Sequence, residues 1–148
     1  MKEENPLLDK SYSFAIRIVK LHQHIVEQKK EYVLSKQILR SGTSVGANIE
    51  EANQAESKSD FIHKLSVSNK EAHETFFWLR LLRDAELLEP RLAESLLTDC
   101  DELIRLLIAS IKSSKRNQNL RFFSAFLAFS ALVGGLFFIL NSPFSTLH

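Results

Sequence analysis

The chain has 148 residues, a length that fits one domain able to bury a core of its own. Four Gly and three Pro are few, and helix-forming residues dominate, which favours an all-helical fold over a sheet. A single Cys excludes an internal disulfide, and no apolar run follows the polar N-terminus to serve as a secretory signal. We therefore expect the body of the protein to be cytoplasmic.

The charges nearly balance, with a formal net charge of +1, but they are unevenly placed. Residues 10–70 hold ten Lys or Arg against six Asp or Glu, whereas residues 84–102 hold seven acids and only one base, Arg91. Such asymmetry can steer a polyanion to the basic part, or let the basic face of one subunit meet the acidic face of the next. Solvated helix faces of different sign are the simpler alternative.

The first helix is predicted from Leu7 or Leu8 to the polar connection at residues 29–31. Its apolar residues form two adjacent stripes: Leu8, Tyr12, Ala15, Ile16, Val19 and Val26 in one, and Phe14, Ile18, Leu21 and Ile25 in the other. This arc is wider than one partner helix needs. We expect it to contact two other helices, or another subunit.

The second helix, predicted over Leu34 to Ala52, carries a stripe of small residues that includes Gly42 and Gly46. Each Gly costs roughly 1 kcal/mol against Ala within a helix, and close approach of a neighbouring helix would offset that cost. A phosphate-binding loop is the alternative, but its Gly-x-x-x-x-Gly-Lys-Ser/Thr spacing and its Lys are absent. Both glycines are therefore predicted to be helix-packing residues.

The third helix is predicted to begin after a capping box at Ser57 and Asp60, and the fourth at Pro90. Small residues on the third helix, among them Ser68 and Thr75, predict tight packing against the small stripe of the second. Cys100 falls on the apolar stripe of the fourth helix and is predicted to be a small buried hydrophobe. Together the pattern predicts an antiparallel up-down-up-down four-helix bundle over residues 1–116.

Two runs of the sequence resemble one protein family. The runs are ILRSGTSVGANIEEA and SDFIHKLSVSNKEAHETFFWLRLL, and they resemble the four-helix-bundle proteins encoded in intervening sequences of 23S ribosomal RNA genes. The accessory protein of diversity-generating retroelements is a relative of that family. The resemblance covers about residues 12–111 and does not reach the last thirty residues.

The resemblance carries expectations about assembly and partners. The retroelement relative is a pentameric ring that associates with a reverse transcriptase and RNA, so a ring-like homo-oligomer with such partners is implied. The family's helix-two motif matches Arg40, Asn48 and Glu50 here, and its helix-three motif matches Lys70, Glu71 and Glu74. Polar contacts between helices or between subunits are the roles implied for these residues.

Six basic residues are candidate phosphate contacts for nucleic acid, because sequence-independent affinity comes from neutralising phosphates. They are Arg17, Lys20, Lys36, Arg40, Lys58 and Lys64. The signal is modest, since residues 1–116 hold equal numbers of bases and acids.

The tail, residues 117–148, differs from the bundle. Residues 122–140 carry no charge, and a helix of that length would span close to the roughly 30 Å hydrocarbon core of a bilayer. Lys and Arg residues precede this run, so the positive-inside rule keeps the bundle on the cytoplasmic side of an inner-membrane anchor. The alternative is an apolar extension translated from sequence beyond the usual stop.

Patterns for catalysis and metal binding are weak. Asp60 and His63 stand three residues apart, but the second motif that a di-metal bundle site needs is missing. His22 and His24 point to nearly opposite sides of a helix. We expect no enzyme, cofactor or metal site. The function hypotheses are a self-assembling bundle that binds nucleic acid or a nucleic-acid enzyme, and a membrane-tethered scaffold for other proteins.

Overall fold

The computed structural model describes residues 5–140, apart from the side chains of residues 121–122 and 126–140. It contains four helices: α1 (Pro6–Lys29), α2 (Leu34–Asn53), α3 (Lys58–Asp84) and α4 (Pro90–Leu140). No strand occurs within the described range, so the predicted all-helical fold is confirmed. The chain divides into two compact units, Met1–Ser113 and Ser114–His148, and the hydrophobic core of the four helices lies in the first.

Polar side chains just outside α1 and α3 fix where these helices begin. Asn5 Oδ1 accepts hydrogen bonds from the N–H groups of Leu7 and Leu8, at 3.2 and 3.4 Å. Ser57 Oγ accepts one from the N–H of Asp60 at 3.1 Å, which confirms the predicted start of α3. Each bond satisfies a backbone donor that has no partner within the helix.

Glu31 caps α2 from outside the helix. Its carboxylate oxygens accept hydrogen bonds from the N–H groups of Val33, Leu34 and Ser35, each at 2.8 Å. Burial alone would raise the pKa of this carboxyl, but these three bonds together lower it below its ordinary value. The sequence marked Glu31 only as part of a polar connection, because a carboxylate two residues before the N-cap is not a usual capping pattern.

Each helix runs antiparallel to the next, and α4 lies beside α1. Between α1 and α2, Ser11 lies against Gly46 and Ile18 against Gly42; between α2 and α3, Arg40 meets Glu74 and Glu51 meets Lys64. Between α3 and α4, Ala72 meets Cys100 and Arg83 meets Glu94. Between α1 and α4, Lys10 meets Glu102 and Arg17 meets Asp99. In every pair of helices, rising residue numbers in one meet falling numbers in the other. The predicted up-down-up-down bundle is confirmed.

The two glycines of α2 face α1. A Cβ added at Gly42 would lie 2.8 Å from Cγ1 and Cγ2 of the fully buried Ile18, closer than real side chains approach. A Cβ added at Gly46 would lie 3.5 Å from the carbonyl oxygen of Ser11, an ordinary van der Waals distance. The sequence assigned the whole small stripe to the contact with α3, but its glycine part packs against α1.

Hydroxyl groups join α2 to α3. Ser68 Oγ donates a hydrogen bond to the carbonyl oxygen of Val45 at 2.8 Å, and the hydroxyl oxygens of Thr75 and Ser41 lie 3.0 Å apart. All three hydroxyl-bearing side chains are buried. The close α2–α3 contact is therefore present as predicted, and short polar side chains make it.

The last helix, α4, runs without a break from Pro90 to Leu140. The sequence pattern predicts instead a bundle helix that ends by residue 116 and a separate tail from residue 117. No Pro or Gly lies between Pro90 and Gly134, so no residue in that interval breaks the helix. Among the residues that the structure describes, no helix is both long and apolar enough to cross a membrane. The predicted span, residues 122–140, falls almost entirely on side chains outside the described set, and the anchor stays a prediction.

We expect Gly42→Ala to lower the free energy of unfolding by about 1–3 kcal/mol, because the added methyl overlaps the stiff, β-branched Ile18 in the core. Gly46→Ala should be neutral or stabilising by up to about 1 kcal/mol, because its methyl fits and Ala has the higher helix propensity. Urea unfolding followed by circular dichroism measures both. Equal midpoints for the two variants would contradict the described α1–α2 contact.

Candidate nucleic-acid interface

Three of the six predicted phosphate contacts are already paired with acids of a neighbouring helix. Lys64 pairs with Glu51 across the α2–α3 contact. Arg17 on α1 pairs with Asp99 on α4 and also donates to Ser95 Oγ at 2.9 Å. Arg40 on α2 is likewise paired with Glu74 on α3. These cations hold helices together, so a phosphate would have to displace a carboxylate to reach them.

The other three candidates, Lys20, Lys36 and Lys58, are exposed and form no ion pair within the described residues. Lys36 lies in the first turn of α2 and Lys58 begins α3, so the antiparallel arrangement puts them at opposite ends of the bundle. Lys20 lines a shallow groove between α1 and α4 with Leu92 and Leu96. The structure therefore does not bring the three together.

Arg40, Glu71 and Glu74 form the polar contact between α2 and α3. The Arg40 guanidinium is hydrogen-bonded to Glu74 and lies 3.7 Å from Glu71 Oε2. Trp78 Nε1 donates to Glu74 Oε1 at 3.1 Å. The Trp78 hydrogen bond and the Arg40 hydrogen bond and charge together lower the pKa of Glu74, although burial opposes them.

Glu71 Oε2 is a buried oxygen that accepts no hydrogen bond from the described residues. Its nearest cation is the half-exposed Arg40, whose pKa is raised mainly by the hydrogen bond to Glu74 and also by the charge of Glu71. One guanidinium thus lies between two carboxylates, and its contact with Glu74 is shorter than its contact with Glu71. Of the residues on the two family motifs, these three are the ones that meet across the α2–α3 contact.

The other motif residues lie elsewhere. Asn48 Nδ2 donates to the carbonyl oxygen of Ser44 at 2.8 Å, a bond within α2. Glu50 and Lys70 are exposed and form no ion pair within the described part of the chain. In the described residues, none of the side chains of Asn48, Glu50 and Lys70 forms a hydrogen bond or ion pair with another helix. Their role in contacts between subunits therefore stays a prediction.

One surface that the sequence reasoning missed lies on α3. Between residues 63 and 80, the exposed positions of α3 are His63, Lys70, His73, Phe77 and Arg80, and none of them is acidic; the next exposed position on this side is Asp84, which is paired with Arg83. We call these five residues the α3 outer strip. Their spacing of seven, three, four and three residues places them on one side of a helix, and that spacing is visible in the sequence.

A second exposed surface lies on α1. Tyr12, Ile16 and Val19 are 66%, 41% and 38% exposed and stand four and three residues apart, so they form one apolar stripe. The other predicted stripe of α1, which includes Phe14 and Ile18, is buried in the core. The wide apolar arc of α1 is thus divided between the bundle interior and the surface.

Groups suited to metal binding or nucleophilic chemistry are few in the described part of the chain. No cluster of three or more His, Cys, Asp or Glu side chains there is placed to hold a metal ion. Cys100 is buried as predicted, and its Sγ donates to the carbonyl oxygen of Ala72 at 3.3 Å. Burial, with the charges of Asp101 and Asp99, raises the pKa of this thiol to about 12.

The geometry defines a small antiparallel helical bundle with polar contacts between its helices. The family model of the 23S rRNA-intervening sequence proteins matches residues 3–109, and the chain belongs to that family, as the resemblance predicted. A similar solved structure is a protein of unknown function from the S23 ribosomal protein family of Bacteroides thetaiotaomicron. It is 53% identical with a TM-score of 0.71, and the match covers 72% of this chain and 98% of that one. No curated protein matches the chain.

We expect Glu74→Gln to lower the free energy of unfolding at pH 7 by about 1 kcal/mol, because it removes the charge that Trp78 and Arg40 stabilise in this partly exposed contact. The folded-state pKa of Glu74 is lowered, so its contribution is complete above the ordinary carboxyl value of 4.5 and is lost as the pH falls through the folded value. Urea unfolding at pH 7 and pH 3 measures the difference.

The exposed Glu27 on α1, which forms no ion pair within the described chain, gives a matched control. Glu27→Gln should leave the free energy of unfolding unchanged at both pH values. A stability difference between Glu74→Gln and the wild type that stayed constant from pH 7 to pH 3 would contradict the ionic role of Glu74.

Proposed function

We propose that the chain is a non-enzymatic bundle that self-assembles and binds structured RNA, or a nucleic-acid enzyme such as a reverse transcriptase. The observation that carries this proposal is the exposed apolar stripe of Tyr12, Ile16 and Val19 on α1. The inward face of the same helix already fills the core, so only a partner outside the bundle can bury these three side chains.

A second copy of the chain is the partner that the charges favour. The lower-numbered helices carry an excess of bases, whereas residues 84–102, which run from the end of α3 into α4, carry seven acids. Five of these acids pair with cations of the same chain, which leaves Glu86 and Glu89 without an ion pair in the described residues and so available to a second copy. Contact between unlike faces of two copies is heterologous, and such contacts close into rings when the rotation allows it. The pentameric ring implied by the resemblance is one such assembly.

Family membership and exposed cations support the RNA part of the proposal. The family is described by its place in sequences that intervene in 23S rRNA. Lys20, Lys36 and Lys58 lie exposed without an acidic partner in the described chain, and ring assembly would repeat them around one particle. Repetition lets single weak phosphate contacts add together, which suits a chain with little net charge.

A membrane-tethered scaffold for other proteins is the alternative function. The sequence feature that favours it is the uncharged run at residues 122–140, which lies largely outside the described side chains. The basic residues before this run predict that the bundle lies on the cytoplasmic side of the membrane, so the membrane in this alternative is the inner one. Sedimentation of the full chain with membranes, resistance to carbonate and release only by detergent would favour this alternative, provided that RNA is not bound.

The test uses a chain that ends at Asn117, with size measured by light scattering and a labelled structured RNA titrated at 50 and 200 mM salt. We expect a discrete oligomer that binds RNA more weakly at the higher salt, because phosphate contacts release counterions. Ile16→Glu should shift the protein to monomers, since it places a charge in the centre of the apolar stripe.

The control variant is Tyr32→Glu, which changes a similarly exposed residue outside α1. It should leave the oligomer intact. Monomeric wild-type protein at tens of micromolar would contradict self-assembly, and an oligomer without affinity for RNA at either salt concentration would contradict RNA binding.

A further inference from the structure

We propose that the α3 outer strip binds an unpaired stretch of nucleic acid, with Phe77 stacked on a base and Lys70 and Arg80 on phosphates. This inference rests on the proposed function and names a surface for it. An exposed aromatic side chain between basic ones is the arrangement that binds single strands, because bases offer flat π faces and phosphates offer charge. The five residues of the strip combine both features on one side of a single helix.

Most acids around the strip already have cationic partners, and Asp60, three residues before His63, is the exception in the described chain. On the side toward α2, Glu71 and Glu74 share Arg40. At the α4 side and the C-terminal end of α3, Asp84 and Glu94 are bound by Arg83, and Asp101 by Arg105. Within the described chain neither Lys70 nor Arg80 forms an ion pair, so the ammonium group of the one and the guanidinium group of the other can each take a phosphate. Arg80 also acts at longer range on Asp84, one turn further along α3, whose closest partner is Arg83.

Phe77 is held in place for stacking. The residue is 55% exposed, although it carries a large apolar side chain in the middle of a helix. The ring packs edge-to-face on Trp78, with centroids 5.0 Å apart and planes at 69°. Trp78 is fixed in turn by its hydrogen bond to Glu74. A fixed aromatic platform loses little conformational entropy when a base stacks on it.

The length of the strip suits a short single strand. Lys70 and Arg80 are ten residues apart, which is about 15 Å along a helix axis. That distance corresponds to about four stacked nucleotides at roughly 3.4 Å each. Phe77 lies between the two cations, so a strand that contacts both passes over its ring. The unpaired loops of a structured RNA offer such strands.

The chain has one Trp, and it lies beside Phe77, so Trp78 fluorescence reports directly on the strip. The experiment titrates the full chain with a ten-nucleotide oligouridylate and, separately, with an abasic ribose-phosphate oligomer of equal length. We expect oligouridylate to quench Trp78 and to bind more tightly than the abasic oligomer. Phe77→Ala should weaken oligouridylate binding roughly tenfold and leave abasic binding unchanged, whereas Phe77→Tyr should retain the affinity.

Lys70→Gln and Arg80→Gln should each weaken the binding of both oligomers. Tyr32→Ala and Arg91→Gln change an exposed aromatic and an exposed cation outside the strip, so they should leave binding unchanged. Circular dichroism checks that every variant keeps its helix content. Fluorescence anisotropy of labelled oligomers supplies the affinities of all variants.

The outcomes separate this inference from the proposed function. If structured RNA is bound but Phe77→Ala binds oligouridylate like the wild type, the strip assignment is overturned and the proposed function stands. Polyglutamate that quenches Trp78 as strongly as oligouridylate would assign the strip to an acidic protein and overturn the inference. If neither structured RNA nor oligouridylate is bound, the inference and the RNA-binding part of the proposed function both fail.

Discussion

The second helix packs against two neighbouring helices at once, and both packing contacts depend on small side chains. Toward α1, Gly42 leaves room for Ile18, and a single added methyl group would overlap that side chain. Toward α3, buried hydroxyl groups at Ser41, Ser68 and Thr75 satisfy one another or backbone carbonyl oxygens. Hydroxyl groups without such partners would cost free energy on burial, so the two contacts together fix the position of α2 along both neighbours.

Once the helices are fixed in this register, their charged residues are divided into two groups. Arg17, Arg40 and Lys64 meet acids of a neighbouring helix and stabilise the bundle. Other cations have no acidic partner in the described chain, and the outward side of α3 combines two of them with an exposed aromatic ring. A chain with a net charge of +1 can therefore present a locally basic surface, because its acids are occupied elsewhere.

The periodicity of apolar residues predicts the helices and their antiparallel order, because each short connection leaves the next helix little choice of direction. It did not predict which neighbour each small residue meets, since Gly42 and Ser41 are adjacent in sequence and face different helices. Glu31 shows a similar limit, because its capping role depends on a turn geometry that its residue type does not reveal. Among the candidate phosphate contacts, residue type could not separate paired from unpaired cations, because the pairs join residues up to 82 positions apart.

The division of the cations is tested most directly by two triple variants that remove the same charge. One carries Lys20→Gln, Lys36→Gln and Lys58→Gln, and the other carries Arg17→Gln, Arg40→Gln and Lys64→Gln. The measurement is the slope of log affinity for structured RNA against log salt, with the melting temperature of each protein. We expect the first variant to keep its melting temperature and to lose roughly 0.7–0.9 of slope for each phosphate contact removed, and the second to melt lower with an unchanged slope. A second variant that lost as much slope as the first would show that the paired cations bind phosphate, and would contradict the division.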